Sequence, residues 1–384
     1  MKMIKSVLIV ITLQLIALYG QETVSWHIDL RTPDSTPEDA RVYIAGNFNG
    51  WDPGNSDYRL FKDEKGMWTG DFVVPRGKVE YKYTLGGWAQ VEISIDGADI
   101  DNRTKVLTEK QMKSYDEVAA WRTDDKTPNI VGQVNVIEKF DIPQLNRTRR
   151  IWIYLPPDYG KGLKRFPVLY MHDGQNLFAD STSFSGEWGI DETLEALYLE
   201  KSVPQMIVVG IDNSEHRLSE YSPFDFEYKG IHKGEAQQYG KFIVETLKPY
   251  IDKHYRTKKG RRHTAISGSS MGGLVSVYIA IEHQQVFSKV GALSSAFGVC
   301  RDSLLLFINN TPKKYPVRFW FDLGSLEDEE MQYDVNQRPV VDALIKAGWK
   351  AEKEVKFIMY DGAGHHERYW RARFGDVLKY LWGK

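Results

Sequence analysis

Hydrophobic and polar positions change their period along this chain. From residue 22 to residue 108 apolar residues alternate with polar ones in short runs: Val24 to Leu30, Arg41 to Ile44, Trp68 to Val74 and Val79 to Leu85. Clusters of Gly, Pro, Asn and Asp separate the runs, so each reads as a strand with one buried face. That spacing predicts a small all-β, immunoglobulin-like sandwich with Trp68 in its core. Residues 109–130 look more helical and charged and are expected to be a linker. From 131 to 384 the pattern mixes buried strands with helices. Val134 to Phe140, Phe166 to Met171, Thr264 to Ile266, Val317 to Gly324 and Glu354 to Tyr360 read as strands, and Leu274 to Ile281 as an apolar helix. Ahead of all this, Lys2 and Lys5 precede an apolar run from Val7 to Tyr19, interrupted by Thr12 and Gln14, with Gly20-Gln21 behind it. The layout is that of a secretory signal peptide over residues 1–20, and the run is short for a bilayer span.

The chemistry concentrates where Thr264-Ala265-Ile266 meets the apolar helix. Gly268-Ser269-Ser270-Met271-Gly272 is a G-x-S-x-G sequence with a further glycine at Gly273. A serine at so sharp a strand-to-helix turn is held in a strained conformation with its hydroxyl raised above the sheet, and the flanking glycines remove clashing Cβ atoms. The helix N-terminus behind it favours negative charge at the same spot. The arrangement predicts a nucleophile elbow on a doubly wound α/β-hydrolase sheet, with Ser270 as nucleophile.

A serine hydroxyl needs a base, and the base needs a carboxylate to fix its tautomer. In chain order the acid follows a later strand and the histidine comes near the end. Gly324-Ser325-Leu326-Glu327-Asp328 follows one predicted strand, offering Glu327 or Asp328. Asp361-Gly362-Ala363-Gly364-His365-His366-Glu367 follows the next, offering His365 or His366. Adjacent histidines do not face one metal, and no H-x-x-x-H spacing occurs here, so no metal is expected. The oxyanion needs two amide donors. One is Met271, after the nucleophile; the other is assigned to Gln175 in the loop His172-Asp173-Gly174-Gln175, where His172 and Asp173 read as loop-bracing partners.

The ordered set His172-Asp173-Gly174-Gln175-Asn176-Leu177-Phe178, Trp188-Gly189-Ile190-Asp191, Gly210-Ile211-Asp212-Asn213, Glu220-Tyr221-Ser222-Pro223-Phe224, Gly268 to Gly273 and Gly364-His365-His366-Glu367 with Trp370 resembles a known group. It is similar to the esterase family that includes esterase D, the enterochelin esterases and carbohydrate esterase family 1. The resemblance implies Ser270, Glu327 and His365 as the catalytic set, with Asp328 a substitute acid. Trp188, Arg217 and Tyr221 fall in loops expected to line the acyl or sugar pocket.

The front domain places Trp51 in the turn Gly46-Asn47-Phe48-Asn49-Gly50-Trp51 and Trp88 just beyond a strand that carries Lys82. Flat rings stack on the apolar faces of sugars while Lys and Asn bind hydroxyls. The pattern resembles starch- and glycogen-type carbohydrate-binding modules, families 20 and 48. That likeness implies Trp51, Lys82, Trp88 and Asn102 as glucan-binding positions.

The 384 residues carry a net charge of −2, which argues neither for nucleic acid nor for an anionic membrane surface. Cys300 is the only cysteine, so no internal disulfide forms, and after an apolar stretch it reads as a small buried hydrophobe. The expected function is a secreted, cofactor-free serine esterase acting on an acylated polysaccharide, removing feruloyl or acetyl groups. After signal cleavage no segment is expected to insert in a membrane. Two alternatives stay open. One is a siderophore trilactone esterase, with Arg217, Arg368, Arg371 and Arg373 supplying a cationic pocket. The other is an inert carbohydrate-binding protein.

Overall fold

A computed structural model describes residues 22–383 apart from 96, 98, 123–129, 184–185, 229 and 328–332. The proposed signal peptide and Asp328 therefore lie outside the described residues. Two compact units divide between residues 126 and 127.

In the front unit seven strands are joined edge to edge. They are β1 (Thr23–Arg31), β2 (Val42–Gly46), β3 (Arg59–Lys62), β4 (Trp68–Pro75), β5 (Gly77–Thr84), β6 (Arg103–Leu107) and β7 (Gln111–Glu117), in the spatial order β6-β5-β2-β3-β4-β1-β7. Trp26, Ile28, Leu30, Ile44, Phe72, Tyr81 and Tyr83 fill the core, Trp68 among them as expected. The linker expectation fails over Gln111–Glu117. That stretch is a strand pairing in parallel with β1 from Ser25 to Arg31. Of its inward positions Met112, Ser114 and Asp116, two are polar, which hides the alternation from a reading by hydrophobicity. Ser114 is buried and accepts from Trp26 Nε1 at 2.7 Å, and Asp116 accepts from the hydroxyls of Tyr81 and Tyr83 at 2.9 and 2.7 Å.

The second unit is built on eight strands: β8 (Gln133–Ile142), β9 (Arg147–Leu155), β10 (Val168–His172), β11 (Ile207–Ile211), β12 (Thr264–Ser269), β13 (Lys289–Leu293), β14 (Arg318–Gly324) and β15 (Val355–Tyr360). Their order is β8-β9-β11-β10-β12-β13-β14-β15; β9 runs antiparallel to both its neighbours, β8 and β11, and the remaining neighbours are parallel. Helices cover both faces. Alternate residues of one strand serve opposite layers: Ile151 and Ile153 join the core with Met271–Ile281, whereas Trp152 and Tyr154 join the core with α1 (Ile190–Leu199) and α3 (Glu367–Trp382). Burial on both faces explains why these strands read as continuous apolar runs.

A buried ion pair ties the segment after β11 to the sheet. Glu220 is fully buried and accepts from Arg149 Nη2 at 2.5 and 2.7 Å and from Arg147 Nη1 at 2.9 Å. Removing one partner strands the other charge in a low-dielectric site. Glu220→Ala is expected to cost about 3–5 kcal/mol, read as a lowered urea midpoint for the second unit.

Candidate active site

Register brings the site together. In the parallel ladder Ser269 pairs with Leu293 and Leu293 with Asp322, so β12 and β13 end at one level and β14 runs on to Gly324, beside Tyr360 at the end of β15. Ser270 follows β12 and caps α2 (Met271–Glu282) with φ 56° and ψ −122°, a left-handed-side conformation that side chains avoid. It is held there from both sides. Its N–H donates to Leu293 O at 2.9 Å, and its carbonyl accepts from Ala296 N at 3.0 Å. The glycines are steric requirements. A Cβ on Gly268 would lie 2.9–3.0 Å from Gly272 backbone atoms, and one on Gly273 would meet Ser295 Oγ at 2.3 Å.

Glu327 follows β14 and His365 follows β15. His365 Nδ1 lies 2.9 Å from Glu327 Oε2, with the carboxylate buried and the imidazole part-exposed. Burial raises the carboxyl's pKa, but the hydrogen bonds from His365, Ser294 and Gly324 N and the imidazole's charge outweigh it and hold the group below its ordinary range. An ionised carboxylate only accepts, so Nδ1 carries the proton and Nε2 keeps its lone pair. The second carboxylate oxygen, Oε1, is pinned by Ser294 Oγ at 2.5 Å and by Gly324 N at 2.7 Å. His366, the other candidate, is buried and accepts from Arg368 N. His365 is therefore the histidine the acid engages.

Ser294, Arg373 and Asp322 escaped the sequence reading as members of this site. Ser294 is fully buried and also receives Trp370 Nε1 at 2.9 Å and Arg373 Nη2 at 2.5 Å. Arg373 contacts Asp322 at 2.8 Å and Glu327 at 3.4 Å. Burial lifts Asp322 to about 6 even though Arg373 opposes it. Trp370 packs edge-on against His365 with centroids 5.0 Å apart. The legible signal was the spacing of Trp370 and Arg373, three apart on one face of α3. Ser294 gave none.

On the other side of Ser270, the loop after β10 approaches the start of α2. A Cβ on Gly272 would sit 3.3 Å from His172 Cβ and 3.4 Å from Asp173 Oδ2. Met271 N is among the first amides of α2, which have no intrahelical acceptor. Gln175 uses its side chain and carbonyl structurally: Oε1 accepts from Asn213 N at 3.1 Å and O from Thr182 Oγ1 at 2.8 Å. Asp173, at φ 56°, is clamped by Arg217 through two bonds of 2.8 and 2.9 Å and by Asn213 at 2.6 Å. His172 Nδ1 meets the Tyr239 hydroxyl at 3.0 Å, and burial pulls the imidazole down to about 3, so it stays neutral.

The expected pocket residues are placed differently. Tyr221 is 0% exposed, lies between the His172 and Tyr239 rings and accepts from Asp173 N. Trp188 is 3% exposed and packs on Trp370 and Phe374. Arg217 is committed to Asp173, whose charge outweighs burial and holds the guanidinium above its usual range, and it lies over the Tyr221 ring. All three brace the site's walls because each has a buried partner that solvent or ligand would have to displace. Arg371 pairs with Glu187 at 2.9 Å. Of the four arginines named for a cationic pocket, Arg217, Arg371 and Arg373 thus face carboxylates. Cys300 is buried with its thiol pushed up to about 12 by burial, matching an inert hydrophobe.

In the front unit Trp51, at φ 61°, and Trp88 are both part-exposed, with ring centroids 6.2 Å apart. The turn fixes Trp51 through its N–H to Gly46 O at 2.9 Å and through Asn49 Oδ1 accepting from Gly46 N. Lys82 is 4% exposed, and the β5–β6 register, carried one residue past Arg103, puts the exposed Asn102 opposite it.

Residues 142–381 match the model of the family described as "Putative esterase". The uncharacterised YbbA of Bacillus subtilis is 26% identical over 250 residues, 62% of this chain and 93% of that protein. An endo-1,4-beta-xylanase/feruloyl esterase of Xylanibacter ruminicola is 25% identical over 330 residues, covering 81% of this chain and 39% of that protein. An alpha-amylase of Niallia circulans is 44% identical over 73 residues in the N-terminal region, 19% of this chain and 6% of that enzyme. Among solved structures, a ferulic acid esterase aligns with TM-score 0.51 and 22% identity over 65% of this chain and 98% of that one. The enterobactin esterase Fes of Shigella flexneri aligns with TM-score 0.55 and 16% identity over 94% and 92%.

A carboxyl whose native pKa is depressed adds stability above its ordinary value of 4.5 and loses it as pH falls through the lowered native value. The melting-temperature gap between the wild type and Glu327→Gln is therefore expected to narrow as pH falls from about 6 to about 3.

Proposed function

The chain belongs to this esterase family and is a carboxylic ester hydrolase, and on that premise we propose a serine mechanism built on Ser270, Glu327 and His365. The observation that carries it is the buried, ionised Glu327 fixed on His365 Nδ1, in loops after β14 and β15 of the same sheet whose β12 ends in a serine in strained backbone. Ser270 Oγ attacks the ester carbonyl and passes its proton to His365 Nε2. The amides of Met271 and Gln175 receive the oxyanion. His365 protonates the leaving alcohol, an acyl-enzyme remains, and water activated by the same imidazole releases the acid. No metal or cofactor enters these steps.

The proposed substrate is a feruloyl or acetyl ester on a polysaccharide. The name of the xylanase/feruloyl esterase relative, aligned over 81% of this chain, supports it. So does the paired Trp51 and Trp88 surface, in a region similar to an alpha-amylase. We read the front unit as an immunoglobulin-like carbohydrate-binding module that raises the local enzyme concentration on a polymer. The apolar run from Val7 to Tyr19 behind Lys2 and Lys5 supports export as part of this reading. A siderophore trilactone is the second reading, favoured by the likeness to Fes over 94% of the chain. Against it, the Arg217, Arg371 and Arg373 charges are already met by carboxylates, leaving less attraction for a trianionic complex.

Ser270→Ala is expected to lower p-nitrophenyl acetate hydrolysis on the order of 10⁴-fold or more with the melting temperature kept; wild-type rates in that variant would end the serine mechanism. Comparing methyl ferulate, acetylated xylan and a catechol trilactone then ranks the two substrate readings, the first two being preferred if the polysaccharide reading holds. Trp51→Ala should weaken retention on an insoluble glucan by about two- to tenfold, the worth of one stacked ring.

A further inference from the structure

The parallel strands have a second pole, and its chemistry differs from the first. A groove of about 550 Å³ crosses the N-terminal ends of β10 to β15, from Pro204 before β11 to Lys353 before β15, with the end of α3 as one wall. Six strands at about 4.8 Å spacing make it roughly 24 Å long. Its lining carries the cations Lys258, Arg261, Arg262, Lys289, Arg318 and Lys353 against one carboxylate, Glu354. That carboxylate is engaged outside the groove, by Lys313 Nζ at 2.7 Å and Lys350 N at 2.7 Å. In a chain with net charge −2, such a concentration of one sign in a concavity focuses a positive field.

The groove's own groups register that field. Arg261 is tied to the carbonyls of Gln284 and Pro316, which satisfy its donors and leave its charge in place. Lys289 is brought down to about 8, by burial first and then by Arg318 and Arg261. His263 is lowered by burial and by Lys258, Lys289 and Arg262. Lys258, Arg262 and Lys353 form no ion pair among the described residues, and Lys258 and Arg262 are exposed. An anion laid along the groove would relieve the repulsion these groups share.

Apolar surface lies between the charges. Trp382 stands part-exposed under Lys289 Nζ, 4.2 Å from its ring centroid, and Pro167, Pro204 and Pro316 form stiff walls. Alternating apolar strips and cations in a recess match a chain of sugar rings bearing carboxylates. A bilayer surface would instead need apolar groups that protrude. We propose that this groove binds an acidic polysaccharide, a glycan bearing uronic acid residues, at the pole of the esterase unit opposite Ser270. The choice of a glycan rests on the polysaccharide reading above. The groove would hold the charged backbone of a polymer while an ester elsewhere on it reaches the catalytic pole.

The test reads binding without turnover, so it fails or succeeds separately from the hydrolysis experiments. The full chain is run in native affinity gels containing polygalacturonate, glucuronoxylan or neutral arabinoxylan, at about 20 mM and about 200 mM NaCl. The wild type should be retarded by both acidic glycans at low salt and released at high salt. Lys258→Ala with Arg262→Ala should raise the dissociation constant for them by about tenfold or more, with an unchanged urea midpoint. Equal retardation of variant and wild type would overturn the proposal. So would equal retardation by neutral arabinoxylan, or binding only to phosphatidylglycerol vesicles in a parallel flotation assay.

Discussion

The 2.9 Å hydrogen bond between Glu327 and His365 joins loops from two neighbouring strands, and it depends on a carboxylate with only one oxygen left to offer. The other oxygen is held by Ser294 Oγ and Gly324 N. A buried carboxylate is tolerable because donors and a cation surround it, and here Arg373 serves Glu327, Asp322 and Ser294 together. Removing one of these groups leaves a buried charge or donor with a partner fewer. A rigid acid then gives a rigid imidazole, with Nδ1 committed to the acid.

Backbone geometry supplies the other half of the site. The strained Ser270 persists because Leu293 and Ala296 bind it on either side and because Gly268 and Gly272 meet with no room for a Cβ. The loop carrying Gln175 is fixed by Asp173, which Arg217 and Asn213 clamp, and by the aromatic stack of His172, Tyr221 and Tyr239. Arginine and tyrosine beside a catalytic loop look like ligand contacts in a sequence. Here their partners are within the protein, and the charge and hydroxyl they carry serve to hold two loops at a set distance from the serine.

The elbow, the order of serine, acid and histidine, the later strands of the sheet and the core role of Trp68 were legible because each is local. A glycine pattern at a turn, a run of apolar residues and a loop after a strand need only near neighbours. Three features lay beyond that reach for one shared reason. The strand at Gln111–Glu117 was hidden because two of its inward side chains are Ser114 and Asp116, whose partners Trp26, Tyr81 and Tyr83 lie 88, 35 and 33 residues away. The bracing contacts of Arg217 and Tyr221 were out of sight because Asp173 lies 44 and 48 residues back. Ser294 was silent because its contacts to Glu327 and Arg373 span 33 and 79 residues.

What the chain alone determined, then, is the strained turn at Ser270 and the loops after two strands that carry Glu327 and His365, since backbone strain at the elbow and apolar periodicity are short-range effects. Which polar side chains face a ligand and which face one another was decided only by the folded sheet. The same is true of the cationic groove, whose lysines and arginines come from four separate strand ends. Burial makes an unpaired charge or hydroxyl costly, so each polar group's partner is set by whichever distant segment the parallel register brings beside it.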